Sequence, residues 1–267
     1  MAECKAPEQS ISITTTSMAE LKIQNPLTRP SSRPSMQDLN GTWLLEKHLS
    51  SNIPLILKLQ KIPFLVRHAI TSSPIHLTIT QYTETDAKGQ KQIHLDLVQR
   101  TAGSFGLGVI EDKRVLDWVE RNHEDFVFGE VLTRSRFVGG KKVNGEGDAS
   151  VKRPDVKVNV SVEGGEEQQE MVGRFLRGEV GVDGDCMEGF LVEDGEEEAG
   201  DEAEREGKGL WIHTLEINEK TAWTVETVWG FAMVKGERYL TSRVVAVNGK
   251  GKFQLGRMVF RFLSREA

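Results

Sequence analysis

Leu39-Asn40-Gly41-Thr42-Trp43 is the stretch on which the reading of the fold turns. Asn40-Gly41-Thr42 has the form of a glycosylation sequon, but in this setting it reads as a turn entering a strand, Thr42 to Lys47. The chain then changes character within a few residues. Ser50, Ser51 or Asn52 offers a helix cap, and Pro54 suits a first helical turn, where the missing N–H has no partner to lose. Pro63 would break a single long helix, so two short helices are expected, near 54–60 and 63–70. Leu55, Leu59, Ile62, Leu65, Val66 and Ala69 recur at helical spacing, leaving Lys58, Lys61, Arg67 and His68 for solvent. The pair reads equally well as a lid or as a packed plug.

Outward from this point the pattern changes to a period of two. Ile75, Leu77 and Ile79 alternate with His76, Thr78, Thr80 and Tyr82, and Ile93, Leu95 and Leu97 alternate with His94, Asp96 and Val98. Gly103 to Gly108 lacks the lysine of a phosphate loop and reads as a bend. Val115 to Val119 reads as a strand. Phe126 to Val138 reads as a long one, with Phe126, Phe128, Glu130, Leu132, Arg134 and Arg136 on one face. His123-Glu124-Asp125 forms a polar connection between them, and no third ligand at a recognisable spacing supports a metal site. Near the C-terminus, Leu210 to Leu215, Thr221 to Val234, Tyr239 to Val247 and Phe253 to Leu263 succeed one another on tight turns. Asn248-Gly249 is the strongest hairpin signal among them. A meander of this kind can close against the first strand.

The remaining segments lack such order. Residues 1–37 are rich in Ser, Thr and Pro and read as a disordered tail. Residues 38–267 form the expected barrel domain, interrupted over about 139–208 by a Gly-rich acidic insertion that is expected to be mobile. Within it, Val156, Val158, Val160 and Val162 alternate as in a strand, and Met171 to Leu176 suits a short helix or strand. The 267 residues carry a net charge of −6, which argues against a nucleic-acid binder. Cys4 and Cys186 provide no disulfide framework, and there is no signal-peptide pattern or apolar run long enough to cross a membrane. A cytoplasmic location without stable membrane insertion is expected. Hydrolase elbows, zinc motifs, Rossmann glycines and a Walker lysine are all absent, so no cofactor and no metal are expected.

The Gly-x-Trp opening, the helical pair and the run of strands resemble the calycins, the lipocalins and fatty-acid-binding proteins. The resemblance implies an all-β antiparallel barrel with a short helix-turn-helix after the first strand. It also implies that Trp43 packs at the closed end beneath an arginine of the last strand, Arg257 or Arg261. The Arg-x-Tyr carboxylate clamp of fatty-acid-binding proteins is replaced here by Arg261-Phe262-Leu263. Asn40 to Trp43, Val115 to Trp118, Val228 to Phe231 and Arg238-Tyr239 further resemble fungal lipocalin-like proteins, over about 39–138 and 208–263. Some of that group are cofactor-free pericyclases of natural-product pathways. The resemblance places no catalytic residue on this chain.

The functional expectation is therefore a barrel that binds an apolar or amphipathic small molecule. Inside it, a cofactor-free cyclisation of Diels–Alder type needs only orientation, a dry cavity and a hydrogen-bond donor. Tyr82, His94, His213 and Tyr239 are the candidate catalytic donors, with Trp223 as a further one. Trp118, Phe128, Arg134, Trp223, Trp229 and Arg243 are the candidate ligand-binding residues. The alternatives are a non-catalytic carrier of a lipid or secondary metabolite, and an interaction protein with a filled barrel. Which face of each strand looks inward is left open by the pattern.

Overall fold

A computed structural model describes residues 33–101, 108–144, 150–185, 189–193 and 211–265. The tail before residue 33, most of the 103–108 glycine bend, both cysteines and the acidic run 194–210 lie outside the described residues. Ten strands form one antiparallel sheet: β1 (Gly41–Leu45), β2 (Ile75–Thr85), β3 (Lys91–Thr101), β4 (Val109–Val115), β5 (Arg121–Asp125), β6 (Gly129–Val138), β9 (Trp211–Asn218), β10 (Trp223–Val234), β11 (Glu237–Asn248) and β12 (Phe253–Ser264). Their order is β4-β3-β2-β1-β12-β11-β10-β9-β6-β5, so the first strand pairs with the last and the sheet curls into a barrel. Among the described residues, the seam between β4 and β5 is the place where neighbouring barrel strands share no ladder. The hairpin β7 (Gly140–Asn144) and β8 (Ser150–Pro154) makes a separate small sheet.

Helices α1 (Ile53–Leu59) and α2 (Phe64–Ser72) separate β1 from β2, split by Pro63 as the sequence predicts. The fold is thus the expected all-β, nearly closed antiparallel barrel with a short helix pair after its first strand. Ile53, Ile56 and Leu57 are the buried face of α1. That helix lies close on β12, where a Cβ on Gly256 would collide with Ile56. The apolar stripe reaches α2 only at Ala69 and Ile70, because α2 leans on α1 rather than on the sheet. Leu55, Phe64 and Leu65 are consequently exposed.

Trp43 is 1% exposed and plugs the opposite end among Met36, Leu39, Phe231 and Phe262. Its indole donates to the Leu39 carbonyl at 3.1 Å. No arginine covers it among the described residues. Arg261 instead pairs with Glu46 at 2.5 Å, and Arg257 donates to the Leu49 carbonyl, so Phe262 takes the position expected of a cation. The segment from Arg33 joins this plug, since Gln81 holds Leu39 N–H and the carbonyls of Met36 and Gln37.

Two strand boundaries differ from the sequence reading. Val115 ends a strand that begins at Val109, and Trp118 lies beyond it at φ 61° in a turn. His123 to Asp125 belongs to β5 rather than to a connection. The expected long strand is broken where Asp125 accepts the Val127 and Phe128 amides at 2.7 and 2.8 Å. Short side-chain-to-backbone bonds of this kind compete with a ladder and turn the chain.

The described part of the insertion between β6 and β9 lies against the barrel. Val156 and Val160, with Val172, Phe175 and Leu176 of α3 (Gly165–Leu176), pack on Leu215, Val228, Val245 and Leu255 of the outer wall. The valine run 156–162 forms no strand and joins neither sheet. Met171 to Leu176 is helical.

Candidate functional site

The barrel holds a partly open cavity of about 210 Å³ beneath α1. Its apolar wall comes from inward positions on successive strands, Leu77, Leu97, Val131, Trp223, Trp229 and Phe260 among them, with Phe128 from the turn between β5 and β6 and Ile56 and Leu57 from the helix. Strand alternation fixes these choices: on β10, Trp223, Val225, Thr227 and Trp229 look in, so Glu226 and Val228 must look out.

A polar pole stands on the inner face at the seam. Asp112 and Arg114 share a face of β4, His123 and Asp125 share a face of β5, and Glu216 comes from β9. Arg114, 8% exposed, donates through Nε to Asp112 at 2.7 Å, through Nη1 to the Thr214 hydroxyl at 3.1 Å and through Nη2 to Glu216 at 2.6 Å. It thus ties β4 to β9 across the line where the ladder lapses. Burial opposes its charge, but Asp112 and Glu216 outweigh burial and raise its pKa. Burial pushes the Glu216 carboxyl up, against the pull of Arg114 and helped by Asp112.

His123 Nε2 meets Asp125 Oδ2 at 3.2 Å, and that hydrogen bond raises the imidazole pKa above its ordinary 6.5, with burial opposing. Asp125 is held low despite its burial, by His123 and by the two turn amides. A group whose folded pKa is raised contributes stability that is complete below the unfolded value and lost as pH rises through the folded one. Unfolding free energy is therefore expected to fall as pH climbs above 6.5. Urea midpoints measured across that window in the parent and in His123→Gln should show the slope in the first and its loss in the second.

Of the residues singled out from the sequence, Phe128, Trp223 and Trp229 line the cavity. The other seven do not. Tyr82 and His94 stack on each other at 5.0 Å on the opposite face of β2 and β3 from Leu77 and Leu97. The Tyr239 hydroxyl donates to Glu237 at 2.7 Å, and its ring packs with Leu49, Val234 and Val259. Trp118 lies outside the barrel with Arg134, Arg136 and His213 against its ring.

His213 and Arg243 are buried between the outer wall and the insertion. His213 Nε2 and Glu226 Oε1 are 2.7 Å apart, both side chains fully buried. Glu226 also accepts the Asn159 and Val160 amides and the Asn159 side chain at 2.8–3.0 Å. Although burial works against it, these donors hold the Glu226 carboxyl low. Arg243 gives Nη1 to the Phe175 and Val180 carbonyls at the end of α3, and its guanidinium lies over Phe175 and Phe190. Burial, with Arg257 and Arg153 nearby, pushes it down to about 9.

Asp112, Arg114 and Glu216 were not among the sequence candidates, and His123 and Asp125 were weighed there only as a metal pair. Their one signal is the i, i+2 pairing, Asp112-x-Arg114 and His123-x-Asp125, which puts each pair on a single strand face.

No family model matches the chain, and no curated protein matches it. Among solved structures, it is similar to the wild-type fluorescent protein UnaG, at 11% identity and a TM-score of 0.37, covering 84% of this chain and 96% of that one. A second likeness is the tesB protein MAP1729c of Mycobacterium avium subs paratuberculosis, at 9% identity and a TM-score of 0.13, over 73% of each chain. No helix among the described residues is long and apolar enough to cross a membrane.

Proposed function

We propose that the barrel is a container for one small amphipathic molecule. The observation that carries this reading is the cavity inside the barrel, apolar along most of its wall and bearing a charged pole on one inner face. The apolar body of the ligand would lie against Phe128, Trp223, Trp229 and Phe260, and its polar end would reach Asp112, Arg114, His123 and Glu216.

Trp223 and Trp229 make the reading testable without labels. Of the five tryptophans, they are the two that line the cavity. Uptake of a brominated alkane-chain ligand should quench part of the intrinsic emission, and the Trp223→Phe/Trp229→Phe double variant should lose that quench while still binding by calorimetry. Quenching that survives the double variant would place the ligand elsewhere.

The second reading is cofactor-free cyclisation in the same cavity, as the resemblance to the pericyclases suggests. The polar pole favours it, since the unpartnered hydroxyls of Thr133 and Ser242 could donate to a carbonyl inside the cavity. The donor role then falls to these two residues, because Tyr82, His94, His213 and Tyr239 face away from the cavity. A volume of 210 Å³ suits one reactant folding on itself better than two joined together. Enantiomeric excess in the cyclised product of a bound conjugated polyene would support this reading. A racemic product formed at the protein-free rate would leave the carrier.

A further inference from the structure

We infer that the polar end of the cavity selects a head group that donates hydrogen bonds, a primary amine above all, and disfavours a carboxylate. This rests on the container reading and specifies what the container takes.

An arginine inside an apolar barrel would ordinarily read as an anchor for an anion. Here the guanidinium is already committed: Nε and Nη2 to Asp112, Nη2 again to Glu216, and Nη1 to Thr214. His123 is likewise engaged with Asp125. Three carboxylates thus share two cations, and with all five ionised the pole carries one surplus negative charge. Protonating Glu216 brings the pole to neutrality at most, and a neutral His123 makes it more negative. No state of these two groups, with both aspartates ionised, gives a net positive pole.

The groups left over are mostly acceptors. Asp112 Oδ1 is buried with no partner, and Glu216 has only Oε1 engaged among the described residues. Two hydroxyls that line the cavity also lack partners, Thr133 at 6% exposure and Ser242 at 0%. A hydroxyl can turn about χ1 to accept as readily as to donate. An incoming carboxylate would find donors in these two hydroxyls, in the Gln60, Gln99 and Thr227 side chains and at the second His123 nitrogen, but three like charges beside it and no cation that is not already paired. An ammonium brings three donors and one positive charge, which suits the unpaired oxygens and the surplus negative charge. A buried charge is tolerated when it is paired and hydrogen-bonded, and only the cation meets both conditions here.

Size bounds the rest of the ligand. At about 30 Å³ for each water-sized group, the 210 Å³ within the wall holds on the order of seven such groups, and the end of a longer ligand reaches the open side.

The test is calorimetric titration of the full chain at pH 7 with 1-aminooctane, 1-octanol and sodium octanoate, which share one chain length and differ in head group. The amine is expected to bind tighter than octanoate by about tenfold or more, with the alcohol between them. Glu216→Gln should shrink the amine-to-octanoate ratio by a similar factor, and Asp112→Asn provides the same comparison if that variant does not fold. Octanoate binding as tightly as the amine would overturn the inference while leaving the container intact. So would a ratio that neither variant changes. If none of the three compounds binds, the container reading falls and this inference with it.

Discussion

Arg114→Met is expected to lower the unfolding free energy by about 3–5 kcal/mol, because it leaves Asp112 and Glu216, both largely shielded from water, without the cation that pairs them. Arg114 also spans the seam where β4 and β5 share no ladder, so its loss should loosen the barrel locally as well as destabilise it globally. The control is the triple variant Arg114→Met/Asp112→Leu/Glu216→Leu. Replacing a whole buried ionic cluster by apolar side chains is commonly neutral or stabilising, so the triple variant should recover most of the loss. Chemical denaturation at constant slope measures both, and hydrogen exchange on β4 and β5 reports the seam. A single variant as stable as the parent would mean that the cluster holds nothing together. A triple variant as unstable as the single one would mean that Arg114 matters through its shape rather than its charge.

Glu226→Gln should cost about 2–4 kcal/mol, although it changes almost no volume. The carboxylate accepts from the Asn159 and Val160 amides, the Asn159 side chain and His213, and an amide nitrogen in place of one oxygen would confront donors with a donor. The damage should be directional. Residues 156–162 depend on those bonds to stay on the outer wall, so limited proteolysis should cut there first, while the quench from Trp223 and Trp229 survives. The parent chain should show the same weakness on acidification. A depressed carboxylate contributes stability above its unfolded pKa of about 4.5 and loses it as pH falls through the lower folded value. Acid-induced release of the 156–162 segment in the parent, absent from Glu226→Gln, would be the signature.

These two sites show where sequence reading succeeds and where it stops. The opening strand, the two helices divided by Pro63, the β2 and β3 alternation and the C-terminal meander were all legible, because each depends on local rules. Proline removes a helical donor, a half-buried strand alternates, and Asn-Gly turns a hairpin. The burial of β2 tracks its alternation directly, from Ile75 through Ile79. The β4 and β5 boundaries were less legible, since nearly every residue there is polar and the break after Asp125 is made by its own side chain.

Orientation was decided only by tertiary structure. On β10 and β11 the burial pattern is nearly continuous, because the cavity lies on one side and the packed insertion on the other. A strand buried on both faces carries no period-two signal, so polarity could not tell inside from outside. His213, Glu226 and Arg243 are polar because they hold the insertion, whereas Arg114 and Glu216 are polar because they close the seam and face the cavity. The sequence by itself determined the barrel, its helical cap and its closing strand. Which charges lie inside it was set by pairings between residues about a hundred positions apart, Arg114 with Thr214 and Glu216, which no local pattern records.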